Sequence, residues 1–359
     1  GLFYHGGYVM QRLSPSGEQL SLEAPNDPTQ LPLTLMRDAE GVPIEIEVPL
    51  SESVVRLRVW RLEVGRVKLY LLDSDYEVNT PVGRSLTRRL YSGDNEHRLR
   101  QEIVLGRGGM RMLDKLGIDP AVLHLNEGHA AFAVLERASI LMRRENFKFE
   151  EAALLARAST VFTTHTPVPA GHDRFDENLV RRFFADTEGW VGLPWARFMA
   201  LGQDHERKPE FNMTFLACSL AGFVNGVAKK HGEVSRELLH SYWHGLLINE
   251  VPVDHVTNGV HLPTWTRPGL QRLLGVHGRL VTGKDFVEQA ERIDRAELWK
   301  ERQAAKRDLL HRCRALLERS VQQRQDSPRT LVRMLEGLRD DALVVGFARR
   351  FAPYKRATL

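Results

Sequence analysis

Residues 122–129 read Val122-Leu123-His124-Leu125-Asn126-Glu127-Gly128-His129, and AAFAVLERASILM follows at 130–142. The apolar run 122–125 predicts a short core strand, and the segment after it predicts a helix beginning near His129. A strand feeding a helix is half of a parallel-sheet unit, and the pattern recurs. Residues 150–158 predict a helix. Residues 161–164 predict a strand that ends in the turn Thr166-Pro167-Val168-Pro169-Ala170-Gly171. Residues 213–230 predict a helix, apolar on several faces and so buried, and 253–256 a strand ending at Asn258-Gly259. This alternation implies an α/β fold: a parallel sheet with helices on both faces.

Upstream, residues 44–48, 54–62 and 67–72 alternate apolar with polar at period two. They predict antiparallel strands, the last two joined by a hairpin turn at Gly65-Arg66. Residues 85–90 look helical, and LGRGG at 105–109 reads as a helix interruption without dinucleotide-binding spacing. Downstream, 285–320 predicts a long charged helix with Leu298, Ala304, Leu309, Leu310, Leu316 and Leu317 at roughly helical spacing. Residues 332–338 continue that character. ALVVGF at 342–347 predicts a buried strand opening a second domain.

The chain has 359 residues, 42% of them hydrophobic, enough for more than one domain. Fifty Lys+Arg against 46 Asp+Glu leave a net charge of +4, too small and dispersed to argue for nucleic acid. Two cysteines, Cys218 and Cys313, give no disulfide framework and no zinc spacing, which points to a reducing compartment. No run approaches the ~18 apolar residues of a membrane span. Gly1 is not a start methionine, so the expectation is that the natural N-terminus lies upstream.

In open parallel sheets ligands bind at the carboxyl ends of the strands. Three polar clusters sit at such ends: His124–His129, Thr163-Thr164-His165-Thr166 and Thr257-Asn258-Gly259. Any one of them alone would serve as a turn or helix cap. Together they supply the mixed donors and acceptors that a polyhydroxylated sugar requires. Arg349-Arg350-Phe351-Ala352-Pro353-Tyr354-Lys355-Arg356 concentrates cations just after the last expected strand and suits a phosphate, or is a solvated basic loop. Tyr91-Ser92-Gly93-Asp94-Asn95-Glu96 is a polar loop. There is no Gly-x-Ser-x-Gly elbow, no metal-ligand spacing, no complete phosphate-binding Walker loop and no convincing carboxylate pair for glycoside hydrolysis.

Six blocks in order resemble the α-glucan (glycogen, starch or maltodextrin) phosphorylase family, in its shorter bacterial and archaeal branch. They are YSGDNEHRLRQEIVLGRGG, HLNEGHAAF, VFTTHTPVPAGHDRF, FNMTFLACSLAGFVNGVAKKHGEVSRELL, DHVTNGVHLPTW and GFARRFAPYKRATL. The similarity covers about residues 1–20 and 67–359, and VNGVAKKHGEVS and APYKR are its most specific parts. It implies a GT-B architecture: a nearly complete Rossmann-type N-terminal glucan-binding domain at 1–263, a helical connector at 264–340, and at 341–359 only the first strand and phosphate loop of a second Rossmann-like domain. It implies a cytoplasmic glycosyltransferase that splits terminal α-1,4-glucosidic bonds of a glucan or maltodextrin with inorganic phosphate. The product would be glucose 1-phosphate, formed with retention.

The cofactor implied for the full-length protein is pyridoxal 5′-phosphate on a lysine expected beyond Leu359. The family's Gly-rich loop is expected before Gly1. By the same resemblance the main-chain carbonyl of His165 faces the developing oxocarbenium ion, and its side chain holds a glucose hydroxyl. Asn258 grips sugar hydroxyls, and Asp94 and Asn95 approach the 2-hydroxyl side. Glu127 and His129 shape the acceptor subsite. Arg350 and Lys355 hold the substrate phosphate, Arg349 lies near the cofactor phosphate and Tyr354 near the sugar. No metal is implied. A homo-oligomer is compatible, and nucleic acid and membrane partners are not expected. Ala352 and Pro353 stand where the long eukaryotic branch has His and Glu, as expected of the short branch. The chain by itself is expected to be inactive, because an assembled two-domain cleft must exclude water. Two other readings are a sugar-nucleotide glucosyltransferase of the glycogen-synthase kind and a non-catalytic glucan-binding module.

Overall fold

The structure is a computed structural model and describes residues 1–7, 10–14, 16, 18–51, 53–90, 93–204, 208–275 and 283–347. The chain divides into two compact units. One comprises Gly1–Met10 and Ser21–Asn258, the other Gln11–Leu20 and the chain from Gly259 onward.

The first unit opens with the expected antiparallel strands, β1 (Glu45–Leu50), β2 (Ser53–Val64) and β3 (Val67–Asp73), with β2 between the other two. The pair Val64↔Val67 closes a two-residue hairpin in which Gly65 takes the left-handed φ of +59° that such a turn requires. Period-two alternation places Ile46, Val48, Leu50, Val55, Leu57 and Val59 in the core.

Against these core residues packs a long helix, α1 (Asn95–Ile103) running through a π turn at Val104–Gly108 into α2 (Gly109–Lys115). LGRGG therefore does not interrupt the helix, as its glycines suggested. A Cβ on Gly108 would stand 3.0 Å from Leu57 Cδ1 and 3.2 Å from Val48 Cγ2, and one on Gly106 would stand 2.8 Å from the Ala133 nitrogen. The glycines allow the helix to press against the sheet and the next helix. The π turn absorbs an extra residue, and Arg107 lies within it. Residues 85–90 are also corrected: the helical turn is Pro81–Ser85, capped by Thr80, and turns follow it.

The parallel sheet has the order β4 (Leu123–Asn126), β5 (Thr160–Thr163), β6 (Phe223–Gly226), β7 (Asp254–His255). The helices α3 (Phe132–Glu145) and α4 (Phe149–Ala158) connect β4 to β5, and α8 (Lys229–Leu239) connects β6 to β7. Between β5 and β6 the chain forms α5 (Glu177–Phe183), α6 (Thr187–Val191) and α7 (Met213–Leu220), among shorter turns. Leu125, Phe162 and Val224 lie side by side in register and are buried.

β6 lies inside the segment 213–230 that was expected to be one helix. An apolar run carries no period to separate a buried helix from a buried strand. Here the neighbouring strand decides. Gly222 donates to the Thr160 carbonyl and Thr164 to the Asn225 carbonyl, each at 3.0 Å, so the chain is drawn out into the sheet.

In the second unit the expected helix 285–320 is two helices, α9 (Gly283–Arg292) and α10 (Arg295–Arg324). Asp294 breaks them by capping α10 through the amides of Ala296 and Glu297. α11 (Pro328–Glu336) replaces 332–338. ALVVGF at 342–347 is not a strand: it is coil, with Leu343 90% and Val345 85% exposed. A strand exists only through ladder partners, and among the described residues no strand pairs with this segment.

Candidate functional site

All four strands of the parallel sheet end on one side, and the predicted clusters meet there in part. Thr163, at the end of β5, donates its hydroxyl to Asn225 Oδ1 at 3.0 Å, beside β6. With that proton committed, His124 Nε2, 2.8 Å from the same hydroxyl, is the donor in its own bond. A polar relay therefore crosses β4, β5 and β6.

Glu127 sits just past β4 with φ 62° and ψ 175°, a region that is nearly glycine-only. Its amide donates to the Thr163 carbonyl at 2.9 Å. Its Oε1 accepts from the His165 amide at 2.7 Å and from Thr166 Oγ1 at 2.8 Å, and Oε2 from Thr164 Oγ1 at 3.4 Å. His165 Nε2 lies 3.1 Å from Asn126 Oδ1. The tips of β4 and β5 are thus tied together, and the tie rests on one strained carboxylate residue. His165 and Asn126 remain exposed.

His129 belongs to a charged cluster drawn from three segments. Arg98 and Glu102, one turn apart on α1, pair at 3.0 Å. Arg98 Nη2 stands 3.1 Å from Asp173 Oδ2 and 2.6 Å from His129 Nδ1, and His129 Nδ1 is itself 3.1 Å from Asp173 Oδ2. The ionised Asp173 carboxylate beside both offsets their charge, and Glu102 adds a second oxygen partner to Arg98. Glu102, His129 and Asp173 have the chemistry of a cation-binding set, and the Arg98 guanidinium occupies that role.

Burial pushes the Glu102 carboxyl up to about 8. Burial also works against charge on His129, but hydrogen bonds to Asp173 and Glu102 outweigh it and lift His129 to about 9. Asp173 is held below the usual carboxylate range, because His129, Glu102 and Arg98 overcome its burial. Glu102 and His129 both bind protons more tightly folded than unfolded. Their contribution to stability is complete below about pH 4.5 and 6.5 respectively, and is lost as pH rises through about 8 and 9. Asp173 has the opposite sign and loses its contribution only as pH falls below the carboxylate range. The urea midpoint of the chain is therefore expected to fall between about pH 6 and pH 9. Glu102→Gln, which fixes the neutral form, should match wild type near pH 4 and exceed it by a margin that grows toward pH 9. A wild-type midpoint that is level or rising over that window contradicts this account.

The other expected residues are more dispersed. Asp94 accepts from the His97 amide at 2.9 Å and caps α1; Asn95 follows, exposed, with no side-chain partner among the described residues. Asn258 is exposed just beyond β7, its amide bonded to the Val227 carbonyl at 3.1 Å. Arg349, Arg350, Tyr354 and Lys355 lie outside the described residues. Sequence reasoning missed Arg98, Glu102 and Asp173. The i,i+4 spacing of Arg98 and Glu102 was a legible signal, but nothing local joined them to Asp173.

No family model matches the chain. Maltodextrin phosphorylase of Thermococcus litoralis is 40% identical over all of this chain and 42% of its own length. Glycogen phosphorylase of Mycobacterium tuberculosis is 41% identical over all of the chain and 43% of its own length. Glycogen phosphorylase of Aquifex aeolicus is 35% identical over all of the chain and 52% of its own length. Matched from end to end in this way, the chain belongs to the α-glucan phosphorylase family, and it spans about two fifths to half the length of these relatives.

Proposed function

We propose that the protein carrying this chain is an α-glucan phosphorylase. It would transfer the terminal α-1,4-linked glucosyl unit of a maltodextrin or glycogen to inorganic phosphate, giving glucose 1-phosphate with retention. The observation that carries the proposal is the set of polar residues at the carboxyl ends of the parallel strands, with His165 clamped by Glu127, in a chain aligned throughout with phosphorylases. His165 presents its main-chain carbonyl to the reacting sugar and its imidazole to a hydroxyl. Asn258, Asp94 and Asn95 hold hydroxyls, and Glu127 and His129 shape the acceptor side. Arg350 and Lys355 hold the phosphate, with Tyr354 beside the sugar. Fixed cations of this kind offset the repulsion between neighbouring phosphates.

The family implies pyridoxal 5′-phosphate, whose own phosphate would act as acid/base partner of the substrate phosphate. The one residue of this chain assigned to it, Arg349, lies outside the described residues, so no step is derived through the cofactor. We assign residues 1–263 to the glucan-binding, Rossmann-like half of a GT-B enzyme, 264–340 to a connector and 341–359 to the start of the second half. We place the enzyme in the cytoplasm. Among the described residues no helix is long and apolar enough to cross a membrane.

The test is phosphorolysis by the full-length protein with maltoheptaose, phosphate and cofactor supplied. Glucose 1-phosphate is expected, together with near-ultraviolet absorbance from the pyridoxal. Transfer from a sugar nucleotide without that absorbance supports the synthase reading. Glucan binding indifferent to phosphate and without turnover supports a binding module.

A further inference from the structure

Away from the strand ends, the first unit holds a cavity of about 420 Å³ lined by Arg107, Arg111, Arg143 and Arg182, with Phe184 and Trp190 in its walls. Its volume falls in the lower part of the range for ligand sites, about 300–1,000 Å³. Arg107, set by the π turn, is only 6% exposed. Its Nε donates to Glu136 Oε2 at 3.0 Å, and its guanidinium carbon lies 4.1 Å from the Trp190 ring centre. Its Nη1 and Nη2 have no acceptor among the described residues. The same Glu136 accepts Arg111 Nε at 2.7 Å and Trp190 Nε1 at 2.8 Å, so one carboxylate meets two guanidiniums.

Arg143 donates to Ser139 Oγ at 2.7 Å and has no carboxylate partner among the described residues. Arg182 shares Glu96 with Arg100. Asp186, also in the lining, caps α6 through the Gly189 amide. The four lining guanidiniums thus meet three carboxylates, Glu136, Asp186 in the lining and Glu96, the last shared with Arg100. Burial pulls the pKa of Arg107 down, although the Glu136 carboxylate beside it works the other way.

We propose that this cavity binds an oxyanion of the phosphate class, either free or as the phosphoryl end of an ester. Planar guanidinium forks match such oxygens bidentately, and an anion would offset the surplus positive charge. The aromatic walls and a volume beyond that of a bare phosphate leave room for an ester's organic part. The site uses neither Arg350 nor Lys355, so it stands or falls separately from the phosphorylase reading.

The test is calorimetric titration of the full-length protein with inorganic phosphate, pyrophosphate and phenyl phosphate, in an Arg350→Gln background that silences the proposed catalytic phosphate site. Saturable binding is expected. Arg143→Gln, a change that disturbs no ion pair among the described residues, and Arg182→Gln should each weaken it about tenfold while the circular dichroism of the native fold is kept. Phenyl phosphate binding more tightly than inorganic phosphate assigns an ester ligand; the reverse order assigns the free anion. Absence of saturable binding at millimolar pyrophosphate overturns the proposal. So does wild-type affinity in either variant that folds.

Discussion

Glu127→Ala is expected to destabilise the first unit by about 2–4 kcal/mol, because two charge-assisted acceptors are lost at once from the His165 amide and the Thr166 hydroxyl. The distinctive part of the prediction is the comparison with Glu127→Gly. Both variants lose the same contacts. Glycine, however, also relieves a backbone at φ 62°, ψ 175°, a strain of about 1–3 kcal/mol. Denaturant titration should therefore find the glycine variant the more stable by roughly 1 kcal/mol or more. Amide exchange at His165 should accelerate in both. On the proposed function, kcat for phosphorolysis by the full-length protein should fall about 100-fold with KM for maltodextrin far less affected, as expected when a reacting group is slightly misplaced. If the glycine variant proves less stable than the alanine variant, the strain is not real. If His165 exchange is unchanged, the clamp is not what holds it.

The second large effect concerns Glu136, which is fully buried and serves Arg107, Arg111 and Trp190. Glu136→Gln preserves shape and removes only charge. It is expected to cost about 3–5 kcal/mol, because Arg107 is left buried without its counter-charge. Pairing it with Arg107→Met should recover most of the loss, since replacing a whole buried pair is far cheaper than breaking one. Thermal unfolding of the two single variants and the double closes the cycle. Additive losses in the double variant would show that the pair does not act as a unit.

Reading the chain locally succeeded where one segment carries its own signal. Alternation at period two marked β1, β2 and β3, a short apolar run followed by a helical segment marked β4, and a run ending in a Pro- and Gly-rich turn marked β5. It failed where pairing decides. Residues 223–226 form a strand because the β5 backbone offers them a ladder, and 342–347 do not because none is offered among the described residues. The same division runs through the site. Glu127, His165 and Asn258 stood out as polar residues at strand ends. Their resemblance to a family gave them roles, but the clamp between Glu127 and the β5 tip is visible only in three dimensions. Arg98, Glu102, His129 and Asp173 come from three separate segments, as do Arg107, Glu136 and Trp190.

By itself, then, the order of residues determined the element types wherever hydrophobic period and turn chemistry are local, the family, and the polar character of the strand ends. Tertiary structure alone decided which apolar run became a central strand, where glycines let a helix touch a sheet, and which charges share a buried carboxylate. The physical reason is range. Propensity and periodicity act within a few residues, whereas ladder hydrogen bonds and buried ion pairs join groups tens of residues apart and exist only once the chain has closed around them.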